Sequence, residues 1–210
     1  MHSDEPTLPE SVEEALLRAG FASAEEGVEL IRSSLNSPVA RQRVLALRAG
    51  ARRALLSDEE WTRALGDPQA EVRREALALL GYLEVRDEQL LTRITAALTD
   101  QDPLVVDAAA FALGEQMYLP AVEQLSEVAM HHEDARCREA AVAALGALGD
   151  DRGRAAVLAA LADKAPVRRR AIAALANFEG PDIDEALERA REDRDWQVRA
   201  ALSQLEKEED

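Results

Sequence analysis

Apolar side chains recur at every fourth position through the stretch from Asp67 to Gly81. Val72, Ala76 and Leu80 fall at i, i+4 and i+8 on one face of a helix, with Arg73, Arg74 and Glu75 between the first two. Asp67-Pro68 ahead of the run supplies a helix start, and Gly81 behind it is where a left-handed residue is expected to close the helix. The same turn-and-helix phrase is written up and down the chain. With Val72 as the anchor, the equivalent positions are Val39, Val105, Cys137, Val167 and Val198, at successive spacings of 33, 33, 32, 30 and 31 residues. So regular a period predicts a repeat architecture, in which each helical hairpin buries its apolar face by stacking on its neighbours.

Six repeats follow, near 24–49, 57–81, 87–114, 119–148, 151–177 and 181–206, within a single solenoid domain over 10–210. Residues 1–9 hold two prolines and two acids and read as a disordered tail. A short cap helix over 11–19 starts at Ser11, where Glu14 completes a capping box, and covers the open end of the stack. Further capping boxes, Ser23 with Glu26 and Ser57 with Glu60, open the first helices of repeats one and two. At the far end Glu206 stands eight residues past its anchor, where earlier repeats carry an apolar residue, so the last helix is expected to face solvent. The fold expected is all-α: a right-handed αα superhelix of about six two-helix repeats behind an N-terminal cap helix.

Composition agrees and narrows the partners. The chain is 47% hydrophobic and 31% charged but only 3% aromatic, and Ala, Leu, Glu and Arg dominate. A net charge of -16 disfavours nucleic acid, which demands a basic face. The single cysteine, Cys137, sits at an anchor position and reads as a small buried hydrophobe, with no intrachain disulfide to form. No stretch approaches the ~18 apolar residues of a membrane helix, so no membrane is expected as a partner and the expected location is cytoplasmic.

The turn Asp100-Gln101-Asp102-Pro103-Leu104-Val105, together with helices that end in Leu80-Gly81, Leu113-Gly114 and Leu145-Gly146, resembles the bacterial HEAT-repeat family in its short variant, the phycobilisome-lyase HEAT-like repeat. Ankyrin and tetratricopeptide arrays share the period but not these residues; no Thr-Pro-Leu-His phrase occurs, and Trp61 and Trp196 do not repeat. The resemblance spans about residues 24 to 205. It implies a ladder in which the turn Asp and the Arg after the anchor hydrogen-bond between successive repeats. Asp67 with Arg73 and Asp193 with Arg199 match that pattern; Arg138 and Arg168 match with Asp134 and Asp163 displaced in register; Asp100 is kept while Val106 replaces the Arg, and Ala40 replaces it in repeat one. These residues are read as structural.

Candidate chemistry is sparse. His131-His132-Glu133-Asp134 is the one cluster of metal-type side chains, and the resemblance extends to deoxyhypusine hydroxylase, a HEAT protein that holds iron through several His-Glu pairs. One pair cannot build such a site, since a metal needs three or more converging ligands, and His2 lies in the tail. A lyase would need a groove for a tetrapyrrole, for which Phe111 and Gln116-Met117-Tyr118 form the only concentration of large side chains. No phosphate loop, catalytic Ser/His/Asp set or activated Cys appears, and no catalytic residue, cofactor or metal is assigned.

What the pattern offers is a surface. Positions two, three and six past each anchor point away from the core of the second helices, which line the expected concave face. They include Arg41, Leu45, Arg74, Glu75, Asp107, Ala108, Phe111, Glu139, Arg169 and Arg170, charged residues around an apolar middle with Phe111 as an exposed anchor. The expected function is a non-enzymatic scaffold that binds another protein or a peptide there. The alternative is a lyase-type or hydroxylase-like HEAT protein.

Overall fold

The computed structural model describes residues 11–22 and 25–209. The tail at 1–9 and the Ser23 cap lie outside them. Among the described residues there are 13 α-helices and no strand. A first helix, α1 (Val12–Ala19), precedes six pairs: α2 (Val28–Ser34) with α3 (Ala40–Arg52), α4 (Asp58–Leu65) with α5 (Ala70–Gly81), α6 (Glu88–Ala96) with α7 (Pro103–Glu115), α8 (Val122–His131) with α9 (Ala135–Leu148), α10 (Arg154–Ala160) with α11 (Ala165–Leu175), and α12 (Pro181–Ala190) with α13 (Trp196–Glu209). The chain divides into two compact units, Met1–Leu79 and Leu80–Asp210, with the division inside α5.

Local chemistry sets the helix starts. Ser11 and Ser57 each accept the backbone N–H three residues on, while Glu14 and Glu60 accept the N–H of the two serines in return. Asp87, Asp102 and Asp134 cap α6, α7 and α9, and Asp150 caps the 3-10 turn ahead of α10, each by accepting the N–H two residues ahead. The helix expected from Ser23 begins only at Val28, behind Gly27 at φ 76°. In the first unit α1 and α2 pack on α3, around Leu16, Ile31 and Leu47. In the second, α7, α9, α11 and α13 pack in succession, with α8 on α9 and α10 on α11. The last helix is not a purely solvent-facing cap: α13 buries Val198, Leu202 and Leu205 against Ile172, while Glu206 pairs with Arg191.

The structure departs from the sequence pattern in its register, its ladder and its Leu-Gly endings. Val39 is 46% exposed and caps α3, whereas Val72, Val105, Cys137, Val167 and Val198 are essentially inaccessible. The bonds show the true register: Arg43 Nη1 donates to the Ser37 carbonyl six residues back, as Arg73 does to Asp67, Arg138 to His132 and Arg199 to Asp193. The anchor of repeat one is therefore Gln42, three residues later, and Arg43 rather than Ala40 holds the arginine position. Leu45, read as surface, is a buried core residue even in the corrected register, where it stands three past the anchor.

The second correction concerns the ladder. Its rungs join the arginine of one repeat to the turn Asp of the next. Arg43 grips the Asp67 carboxylate at 2.7 and 2.7 Å, Arg138 grips Asp163 at 2.6 and 2.7 Å, and Arg168 grips Asp193 at 2.8 and 2.7 Å. Each pair is the planar, two-pronged match of guanidinium to carboxylate, and both partners are largely buried. Asp134, expected near Arg138, is instead the cap of α9 and pairs with Arg136. At Asp67, Asp100 and Asp193 a carboxylate oxygen also accepts the N–H two residues on, which folds the turn. Where Val106 stands in place of arginine it is fully buried, and the turn position six residues before Arg138 carries no Asp. His132 sits there, its Nδ1 accepting the Asp134 N–H at 3.1 Å. Val106 has no guanidinium to make this rung, and the imidazole performs only the turn-making half of the aspartate's role.

The third correction concerns the Leu-Gly endings. Gly81, Gly114 and Gly146 are helical, not left-handed; positive φ occurs at Gly27, Gly149 and Gly180. Their use is close approach. A Cβ on Gly114 would lie 3.1 Å from Ala144 Cα, one on Gly146 2.7 Å from Ala174 Cα, and one on Gly81 2.5 Å from the Phe111 ring.

Cys137 is fully buried, and its Sγ–H donates to the Pro103 carbonyl at 3.2 Å. Burial pushes its pKa up to about 11, with Asp134 and Asp107 adding to the rise. Native protein is expected to leave Cys137 unlabelled by a maleimide at pH 7, with stoichiometric labelling on unfolding in urea; mass spectrometry reads both, and fast native labelling would show an opening of the α7–α9 contact.

Candidate functional site

Small residues let α7 and α9 approach closely, and the side chains that remain on their outer faces frame a groove of about 450 Å³ with α11. Its walls are Phe111 and Gly114 from α7 and Ala140, Ala143, Ala144 and Ala147 from α9. Its polar rim is Asp107, Glu115, Arg136, Glu139 and Arg170. The groove lies wholly within the second unit.

Of the surface residues read from the sequence, Asp107, Phe111, Glu139 and Arg170 meet at this groove. Arg169 stands beside it, its Nη2 3.9 Å from a Glu139 oxygen that Arg170 approaches to 3.8 Å. Besides the buried Leu45, three belong to the first unit: Arg41 is exposed and pairs with Glu13 at 3.0 Å, Arg74 is exposed, and Glu75 is held by two bonds of 2.7 Å from Arg48. Ala108, assigned to the surface, is buried. Phe111 is not the free-standing side chain expected. It is half-buried, lies where Gly81 leaves room, and meets the Tyr82 ring at a centroid distance of 5.3 Å with a tilt of 57°.

Charges on the rim are unevenly compensated. Arg136 is committed to Asp134, at 2.6 Å from Nη2, and Arg169 and Arg170 share Glu139. Asp107 and Glu115 make no hydrogen bond or ion pair among the described residues. Burial holds the Asp107 carboxyl above its ordinary pKa, an effect that Arg136 opposes and that Glu139 and Asp134 reinforce. Glu115 and Arg136 escaped the sequence reading. Glu115 was within reach of it, since it follows Asp107 by eight residues, two turns along one helix face.

The other sequence candidates have structural employment. Gln116 donates from Nε2 to the Leu80 and Leu83 carbonyls, both at 2.6 Å, and accepts the Val85 N–H, tying down the loop after α5. Tyr118 donates its hydroxyl to Glu88, and the Met117 between them takes φ 50°. His131 Nε2 lies 3.9 Å from Glu127 on the outer face of α8, while His132 folds its turn. Among the described residues no group of three His, Cys, Asp or Glu side chains is placed to hold a metal ion.

A family profile described as HEAT repeats matches residues 59–127 and 122–206. No curated protein sequence matches the chain. Among solved structures, the chain is similar to YibA of Escherichia coli, with a TM-score of 0.65 and 17% identity over 94% of this chain and 75% of that one. An engineered protein gives 0.62 and 19%, covering 85% and 94%. A designed armadillo repeat protein, solved in complex with the peptide (KR)4, gives 0.56 and 14%, covering 94% and 99%. Identities this low speak to the fold alone.

Proposed function

Because this chain belongs to the HEAT-repeat family, whose stacked helices present extended surfaces, we propose that it is a non-enzymatic scaffold that binds a protein or peptide segment in the groove of α7, α9 and α11. The observation that carries this reading is the groove itself: alanine walls, the Phe111 ring with Tyr82 over it, and a rim of charges. Apolar middles with charged rims are the anatomy of interfaces, and an aromatic in a cleft is the usual anchor. The designed armadillo protein bound to its peptide lends support by architecture. The short repeat period and the Asp-Gln-Asp-Pro turn favour the short bacterial HEAT variant, and a lone buried thiol accords with a reducing cytoplasm. No helix among the described residues is long and apolar enough to cross a membrane.

Phe111→Ala is expected to weaken partner binding by ~2 kcal/mol, about thirtyfold in Kd, measured by calorimetry at a temperature where circular dichroism shows the variant folded. The partner is obtained by crosslinking in the native cell. Unchanged affinity would remove the groove from the interface, and stoichiometric iron or a bound chromophore in purified protein would overturn the scaffold reading.

A further inference from the structure

Resting on the groove as the binding site, we infer that its occupant is an extended segment carrying two basic side chains four residues apart with an apolar residue midway between them. The stripe Asp107, Phe111, Glu115 runs along one face of α7 at i, i+4 and i+8. A helix advances about 6 Å in four residues, so the stripe reads carboxylate, aromatic, carboxylate at ~6 Å steps. An extended chain presents same-side residues every ~6.7 Å, close enough to match three successive ones in the order basic, apolar, basic.

The sign of the occupant follows from which rim charges are already satisfied. Every cation at the groove has a carboxylate near it: Asp134 for Arg136, Glu139 for Arg169 and Arg170. Among the described residues, the two rim anions that no side chain bonds are Glu115 and Asp107, which Arg136 attracts without bonding; Asp107 also carries the desolvation cost of its half-buried position. A guanidinium or ammonium group placed beside it offsets that cost, and its stem gains the Phe111 face. An acidic segment would bring a third set of negative charges to a chain of net charge -16.

The test uses fluorescence anisotropy of the full chain with a labelled peptide Gly-Ser-Arg-Ser-Leu-Ser-Arg-Ser-Gly. A peptide of the same composition, with its arginines adjacent and leucine at one end, controls for charge alone. Saturable binding of the first is expected, at least ~tenfold tighter than binding of the second. Asp107→Asn with Glu115→Gln should cost ~tenfold in affinity without lowering the melting temperature, because neither carboxylate holds a bond in the fold and the charge at Asp107 is held there at a desolvation cost. Glu179→Gln with Glu192→Gln removes the same charge from exposed positions outside the groove and should change affinity less than ~twofold. Equal losses in the two double variants, or equal binding of the two peptides, would reduce the effect to the diffuse acidic field and overturn the inference. Binding of a peptide with glutamates in place of arginines would also overturn it while leaving the scaffold reading intact. That reading falls separately, if Phe111→Ala leaves the native partner's affinity unchanged.

Discussion

Replacing Arg168 with alanine is expected to destabilise the protein by ~3 kcal/mol or more, the largest effect of any single substitution in the ladder. Arg168 is 5% exposed, donates twice to Asp193 and once to the Asp163 carbonyl, and its removal strands a largely buried carboxylate. Urea denaturation by circular dichroism gives the magnitude, and amide exchange should show α11 and α13 losing protection first. A loss under ~1 kcal/mol would mean the pair contributes little beyond a surface ion pair. Arg168→Met with Asp193→Leu should recover part of the loss, since an apolar pair leaves no uncompensated charge but still forgoes the bonds to the Asp195 N–H and the Asp163 carbonyl.

The same rungs predict the acid limb of stability. The hydrogen bonds from Arg138 and Arg168 hold the Asp163 and Asp193 carboxyls below their ordinary pKa. A carboxylate depressed in the folded state contributes stability that is complete above its unfolded pKa, about 3.9, and is lost as pH falls through the lower folded value. Stability should therefore hold from neutral pH down to about 4 and decline below it. In Arg168→Ala that decline should be shallower, because the Asp193 share is already gone.

Gly146→Ala is expected to cost ~2–3 kcal/mol, against the usual gain when alanine replaces a helical glycine. The added Cβ would sit 2.7 Å from Ala174 Cα and 2.5 Å from its Cβ, so α9 and α11 must separate. Gly66→Ala is the matched control. Its Cβ would meet nothing nearer than 3.7 Å, and the change should stay within ~0.5 kcal/mol. If both glycines tolerate alanine equally, the helices have slack that the close approach denies.

Two of these substitutions lie at residues whose identity was plain in the sequence and whose role was not. Arg168 is legible as a ladder residue, and the ladder as one that runs between successive repeats, but the motif sets Asp163 beside it, and only the structure shows that the carboxylate it binds is Asp193, 25 residues away. Periodicity reports which positions are equivalent but not which copies touch. Gly146 looked like a helix stop because glycine so often is one; that it instead admits Ala174 depends on a neighbour nearly thirty residues distant. In repeat one Gln42 puts a polar residue at an anchor that elsewhere is apolar, and Val39, three residues earlier, imitates that anchor in the sequence while standing exposed in the structure.

By itself, the sequence determined that this chain is all-helical, that it repeats as helix pairs near a 30-residue period, and where helices such as α1 and α4 begin. Those outcomes depend on local terms, the i, i+4 burial of Val and Leu and the caps of Ser11 and Ser57, which act within a few residues. Only the tertiary structure decided which carboxylate each ladder arginine binds, that Ala108 and Leu45 are core, that Phe111 is half-covered by Tyr82 beside Gly81, and that Asp107 and Glu115 are left unmatched on the groove rim. Each of those depends on the distance between helices of different repeats, a quantity set by packing small residues against one another and carried by no single stretch of chain.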